Sequence, residues 1–194
     1  MSLPKHKFLL TYRLAEIIHD LTVEFCQKYL GNLGNLGDLR EIPQRRTIDQ
    51  MIQAARSGKQ NIVEGVGQSR SSKKGEIKLL GVAEASIEEL LADYEDFLRQ
   101  RKLPIWSKDD EKVKRLKHYV FRISHLSNLS DLGTLKEKPR LPGKKEVAAN
   151  LMVTLCHIET YLLSKQIEKA EQNFVTKGGY TEQLFKKRLS HRIG

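Results

Sequence analysis

From Ile77 to Leu98 apolar side chains return every three or four residues, at Ile77, Leu80, Ala83, Ile87, Leu90, Leu91, Tyr94 and Leu98, with no proline between them. A stripe of about six turns on one helix face, with spacings of three and four sustained this long, indicates bundle packing. The same spacing recurs from Tyr12 to Tyr29 through Ala15, Ile18, Leu21, Thr22, Phe25 and Cys26. A further stripe begins at Thr47 and uses Ile48, Met51, Ile52, Ala55, Ile62 and Val66. Another runs over Glu146–Thr176 through Val147, Leu151, Leu155, Ile158, Leu162, Ile167, Ala170 and Phe174.

The stops between these stripes are equally plain. Gly31 ends the first, and Gly31–Leu39 repeats Gly-Asn-Leu, Gly-Asn-Leu and Gly-Asp-Leu, residues that cost helix and favour a loop, with Pro43 closing it. Thr47 and Gln50 fit a capping box at the start of the second helix. Ser71 and Ser72 mark a break, Pro104 another, and Ser107 with Asp110 restarts a shorter helix through Val113, Leu116, Val120 and Ile123. Ser130–Lys145, with Gly133, Pro139, Pro142 and Gly143, reads as a linker, and Gly178-Gly179 ends the last long helix. A short basic helix follows, carrying Tyr180, Leu184, Phe185 and Leu189 on one side and Lys186, Lys187, Arg188 and Arg192 elsewhere. The expected fold is all-α: an antiparallel up-and-down four-helix bundle over residues 1–176, with a loop at 31–46, an insertion at 102–145 and a basic helical appendage at 177–194.

Function is constrained mainly by charge. Lys and Arg number 34 against 24 Asp and Glu, a net charge of +10, which favours polyanionic partners, anionic surfaces or solubility. The excess is uneven: residues 61–100 hold five basic and eight acidic side chains, whereas residues 101–150 hold thirteen and six. The candidate phosphate-binding residues are Arg56, Lys59, Arg70, Lys73, Lys74, Lys112, Arg115, Lys186, Lys187 and Arg188. Glu84, Glu88 and Glu95 run along a matching edge of the third stripe and could neutralise Arg56, Lys59 and Arg70. Few aromatics accompany these clusters, so phosphate contacts rather than base stacking are expected to dominate.

Enzyme chemistry finds no support in the motifs. Gly58-Lys59 lacks the preceding strand, the upstream glycine and the Ser or Thr of a phosphate loop, since Gln60 follows. Glu16-x-x-His19 is half of a di-metal carboxylate site without its second copy, and His118 and His125 have no partner at ligand spacing. No metal and no cofactor is expected. Cys26 and Cys156 lie in apolar helical stretches and read as buried thiols of a reducing compartment. The N-terminal apolar run is only Phe8, Leu9 and Leu10, and no stretch approaches bilayer-spanning length, so a cytoplasmic protein without membrane contact is expected.

The second stripe has an unusual opposite face. Gln53, Ser57, Gln60, Asn61 and Glu64 are polar but nearly uncharged, and Gly58 and Gly65 sit within the same helix, where each costs about 1 kcal/mol relative to Ala. The reading preferred is a helix packed on both sides, against its own bundle and against another subunit; an ordinary exposed face is the alternative.

Asn61-Ile62-Val63-Glu64-Gly65, preceded by Ala54-Ala55-Arg56-Ser57, resembles the Asn-Ile-x-Glu-Gly signature of a bacterial helix-bundle family. That family comprises the proteins encoded in intervening sequences of large-subunit ribosomal RNA and their relatives. Ser86-Ile87-Glu88-Glu89-Leu90 resembles the family's Ser-x-x-Glu-Leu, and the likeness covers roughly Thr47–Leu98. The resemblance implies up-and-down four-helix bundles assembling as homopentameric barrels. It also implies a nucleic-acid role, as for the retroelement accessory relative, which engages nucleic acid and a reverse transcriptase. Under it Ser57, Asn61, Glu64, Gly65, Ser86 and Glu89 are structural or interface residues rather than catalytic ones. The Gly-Asn-Leu loop, the inserted basic helix and the tail depart from the family pattern, as in a longer subgroup. A non-enzymatic, self-associating protein that binds RNA or DNA through phosphates is therefore the leading expectation. The alternative is a scaffold whose basic helix and tail dock on an acidic protein partner.

Overall fold

The computed structural model of the chain describes residues 4–31, 42–124 and 140–193. Among the described residues all regular structure is helical. A short turn at Lys5–Phe8 leads into α1 (Leu10–Phe25), followed by α2 (Ile42–Gln68), α3 (Lys73–Gln100), α4 (Glu111–Ser124), α5 (Lys145–Lys177) and α6 (Tyr180–Ile193).

Helices α1, α2, α3 and α5 pack in a closed circuit, with α2 and α5 each against both α1 and α3. Directions follow from the contacts. Ser57 of α2 meets Ser86 of α3, while Gly65 meets Glu76, so these two helices run antiparallel. Thr11 of α1 donates to Gln166 of α5, while Tyr29 at the far end of α1 donates to the carbonyl of Pro142, just before α5. That pair is antiparallel as well. The predicted stripes supply much of the core: Ile18, Phe25, Ala55, Ile62, Leu80, Ile87, Tyr94, Leu151 and Leu155 are all fully buried, whereas Val66, Ile77 and Phe174 are only partly so, and Leu14, Ile17, Met152 and Leu163 join the core from outside the stripes.

Within the core Phe25 packs edge-on against Tyr94 and Phe97, with ring centroids 5.0 and 4.8 Å apart. Such pairs add about 0.5–1.5 kcal/mol each beyond the area they bury. The buried Tyr94 hydroxyl donates to Thr22 Oγ at 2.9 Å, and Thr22 in turn donates to the carbonyl of Ile18, so neither hydroxyl is left unsatisfied. Cys26 and Cys156 are buried free thiols, and burial raises both pKa values, that of Cys26 to about 12.

Helix ends depart from the sequence reading at instructive places. α2 begins at Ile42, so Thr47 lies inside the helix and is no N-cap, and Pro43 opens the helix instead of closing the loop before it. A proline in a first turn lacks only an N–H that has no helical partner there anyway. α1 passes beyond Phe25 into a wider π turn at Cys26–Leu30. Ser72 does cap α3, its Oγ accepting from Gly75 N at 3.0 Å. At the other end of α3, Lys102 N donates to Arg99 O and Leu103 N to Leu98 O, a Schellman closure that puts Lys102 at φ 53°.

Two further expectations are corrected. Gly58 and Gly65 were read as room for another subunit, yet both face α3 of the same chain. A Cβ on Gly58 would stand 2.7 Å from Ile87 Cδ1, and one on Gly65 3.4 Å from the Glu76 carbonyl. Their helical cost therefore serves the α2–α3 approach. A window of 18 residues within Lys145–His191 is also long and apolar enough to cross a bilayer by composition, contrary to the sequence reading. Its apolarity has an internal cause, because 61% of that window is buried among the other helices.

Helix α5 explains this. Residues 148–156 are all buried, with no polar side left over. α1, α3 and α4 all lie against it. The segment joining α3 to α4 is pinned there too. Asn150 Oδ1 accepts from Trp106 N at 2.8 Å, Asn150 Nδ2 donates to Pro104 O at 3.0 Å, and Trp106 Nε1 donates to Glu146 Oε1 at 3.0 Å.

Candidate functional site

The motif residues of α2 and α3 fall into one hydrogen-bonded chain. Asn61 Nδ2 donates to Ser57 O at 2.9 Å and to Ser57 Oγ at 3.1 Å. Ser86 Oγ donates to Val82 O at 2.8 Å, so in the 2.9 Å pair between the two serines Ser57 is the donor. Each proton has one acceptor, which orders the seam between the helices beside the gap left by Gly58. Glu64 and Glu89 take no part and are exposed. Glu89 instead edges an open groove of about 380 Å³ between α2 and α3, with Asp49, Gln53, Ser57 and Ser86.

Near that groove α3 carries an acidic ladder. Asp93 has its Oδ2 buried with no partner among the described residues, and its pKa is pushed up to about 6 by burial and by the charges of Glu89 and Asp96. Glu159 in α5 is more extreme. It is fully buried with neither carboxyl oxygen bonded among the described residues, and burial holds its pKa well above the usual carboxylate range. Neither acid was singled out from sequence. The available signal for Glu159 was a lone charged side chain at a position where the α5 stripe returns, since no other Asp, Glu, Lys or Arg falls between Glu146 and Lys165.

The candidate cations do not converge on one element. Arg56 is exposed on α2, and Lys59 is half-buried with its Nζ 3.4 Å from His19 Nδ1. The His19 pKa is lowered first by burial and then by Lys59 and Arg56, against the opposing pull of Asp20. Arg70 and Lys74 are exposed around the α2–α3 turn, whereas Lys73 is bound to Glu76 at 2.9 Å. On α4, Arg115 is exposed and Lys112 Nζ lies 4.6 Å over the Trp106 ring. Lys186, Lys187 and Arg188 are exposed on α6. Among the described residues no ion pair joins Arg56, Lys59 or Arg70 to Glu84, Glu88 or Glu95, so the neutralisation across α2 and α3 that the sequence allowed does not occur there. Glu84 accepts instead from Ser164 of α5.

The half-motif Glu16-x-x-His19 is split between partners. Glu16 accepts from Tyr12 at 3.0 Å and pairs with Lys7 at 3.4 Å, while His19 lies between Asp20 and Lys59. His125 lies outside the described residues. Among the described residues no group of three or more His, Cys, Asp or Glu is placed to share a metal ion.

Comparison with known proteins gives no relative: no protein-family model, no curated protein and no solved structure matches the chain.

Proposed function

We propose that this chain is a non-enzymatic, self-associating accessory protein that binds RNA or DNA through phosphates. In this reading its core is an up-and-down antiparallel four-helix bundle, with α4 inserted and α6 appended. It stands with the longer members of the ribosomal-RNA intervening-sequence family, and the homopentamer follows from that resemblance. The observation that carries the reading is the set of exposed cations without carboxylate partners among the described residues: Arg56, Arg70, Lys74, Arg115 and Lys186–Arg188. Cations paired on the surface contribute little to a partner, whereas unpaired ones are free to displace counterions from a phosphate backbone. Repetition of these scattered groups around an oligomer would bring them onto one surface and supply avidity without base-specific contacts.

The test is anisotropy of labelled single- and double-stranded oligonucleotides across a salt series, on protein sized by light scattering. Expected is a log–log salt slope corresponding to several neutralised phosphates, reduced by about one per cation removed. Absence of binding at about 50 mM salt rejects the reading.

A second reading, a scaffold for an acidic protein partner, is favoured by α6 itself. Tyr180, Leu184, Phe185 and Leu189 are exposed there alongside the basic residues. Deletion of residues 178–194 separates the two readings: it weakens oligonucleotide binding and lowers the salt slope by about three without abolishing binding under the first, and abolishes partner capture under the second.

A further inference from the structure

The segment joining α3 to α4, together with α4 and α5, walls a pocket of about 320 Å³ that none of the readings above employs. Its walls are apolar, from Ile105, Trp106, Val113 and Val153. A volume at the lower end of the small-molecule range, largely apolar and with a few polar groups, is the usual form of a binding cavity.

The polar atoms inside it are already used. Asn150 accepts from Trp106 N and donates to Pro104 O and Glu146 O, and Thr154 Oγ donates to Asn150 O. The bond from Trp106 N to Asn150 and that from Trp106 Nε1 to Glu146 fix the backbone and indole of Trp106, so the wall is preorganised and would cost little to order on binding. What remains for a ligand's polar end is the rim: Lys108, Lys117 and His157, all exposed, and no carboxylate lines the pocket. Among the described residues neither Lys108 nor Lys117 has an ion pair. Of the acidic neighbours, Asp110 accepts from Lys112 N, Glu111 pairs with Lys114 and Glu146 accepts from Trp106 Nε1, while Asp109 is exposed beside Lys108 and does not line the pocket.

We infer that this pocket binds a small organic acid, its apolar body against Trp106, Val113 and Val153 and its anionic head at Lys108, Lys117 and His157. The charge of the rim selects the anion, and the dry wall selects the body. The inference is independent of the nucleic-acid reading and survives its failure.

Trp106 is the one tryptophan of the chain, so its emission reports on the pocket alone. The experiment titrates the full-length protein with monomeric octanoate and, separately, with 1-octanol, its uncharged counterpart. Expected is a saturable change in Trp106 emission with octanoate and about tenfold weaker half-saturation with octanol, a difference of about 1.4 kcal/mol. The variant Lys108→Met with Lys117→Met should bind octanoate about as weakly as octanol while leaving octanol affinity unchanged. Both lysines are exposed, so its thermal unfolding should match the parent and certify the fold. Absence of saturation with octanoate at millimolar concentration overturns the site. Equal affinity for the acid and the alcohol, or an unchanged preference in the double variant, overturns the role of the rim. Anionic phospholipid vesicles should leave the emission unmoved; a response to vesicles without one to octanoate would reassign the surface to lipid and overturn the pocket.

Discussion

The first half of α5 and the whole of α6 have comparable shares of large apolar side chains and opposite fates. Residues 148–156 are buried on every side, whereas every side chain described in α6 is exposed. Leu155 is fully buried and Leu189 is 48% exposed. The share of large apolar side chains does not separate them. The number of neighbouring elements does, for α5 lies against α1, α3 and α4, and α6 stands beyond Gly178, whose φ of 72° and ψ of 176° turn the chain out of the helix. A helix of 14 residues without tertiary packing is marginal in water, so α6 depends on whatever it meets.

The largest expected effect breaks this comparison directly. Leu155→Ala should cost about 2–5 kcal/mol through lost burial and a cavity. Leu189→Ala should cost about 0.5 kcal/mol or less in the same urea titration. Equal losses would mean that α6 is covered in solution.

The two helices also carry contrasting carboxylates. Glu159 is buried with no partner among the described residues, while the exposed Glu182 accepts from Gly179 N at 3.1 Å. Burial raises the folded-state pKa of Glu159 above its unfolded value, so its contribution to stability is fully present below about pH 4.3 and is lost as pH rises through the folded value. The slope in that window approaches about 1.4 kcal/mol per pH unit. Glu159→Gln should therefore flatten the pH dependence of urea unfolding. Identical profiles for the parent and Glu159→Gln would show that the carboxyl finds a partner in solution.

A smaller effect tests how α5 acquires its outer cover. Asn150→Ala removes the acceptor for Trp106 N and the donor to Pro104 O, and should cost about 1–3 kcal/mol. Trp106 emission should shift to the red as the segment loosens; an unshifted spectrum would show that packing alone holds it. The smallest expected effect has the opposite sign. Lys102 occupies a left-handed position at the end of α3, so Lys102→Gly should stabilise by about 1 kcal/mol or less. A loss of stability in thermal unfolding would assign the lysine side chain a role that outweighs its backbone strain.

Much of the fold was legible because its signals are local. The stripe from Leu80 to Leu98 needs only the 3.6-residue period, and the break before α3 needs only Ser71 and Ser72. The site was less legible. Asn61, Ser57 and Ser86 stood out as a motif, but Ser57 and Ser86 are 29 residues apart in sequence, and only the antiparallel pairing of α2 with α3 brings them to 2.9 Å. Gly58 and Gly65 signalled a close approach correctly in kind, while the identity of the approaching helix was a tertiary fact. Trp106, Asn150 and Glu146 carried no pattern at all, since 40 or more residues separate the tryptophan from its two partners.

The sequence by itself determined that this chain is helical, where most helices begin and end, which face of each seeks a core, and that its charge is strongly positive. Periodicity, capping and composition are properties of neighbours along the chain. The tertiary structure decided which helices meet, that α5 is covered by α1, α3 and α4, that Glu159 is sealed in without a partner among the described residues, and that a walled pocket opens beside Trp106. Each of these depends on atoms brought together from distant positions, where packing and desolvation, rather than local preference, set the energy.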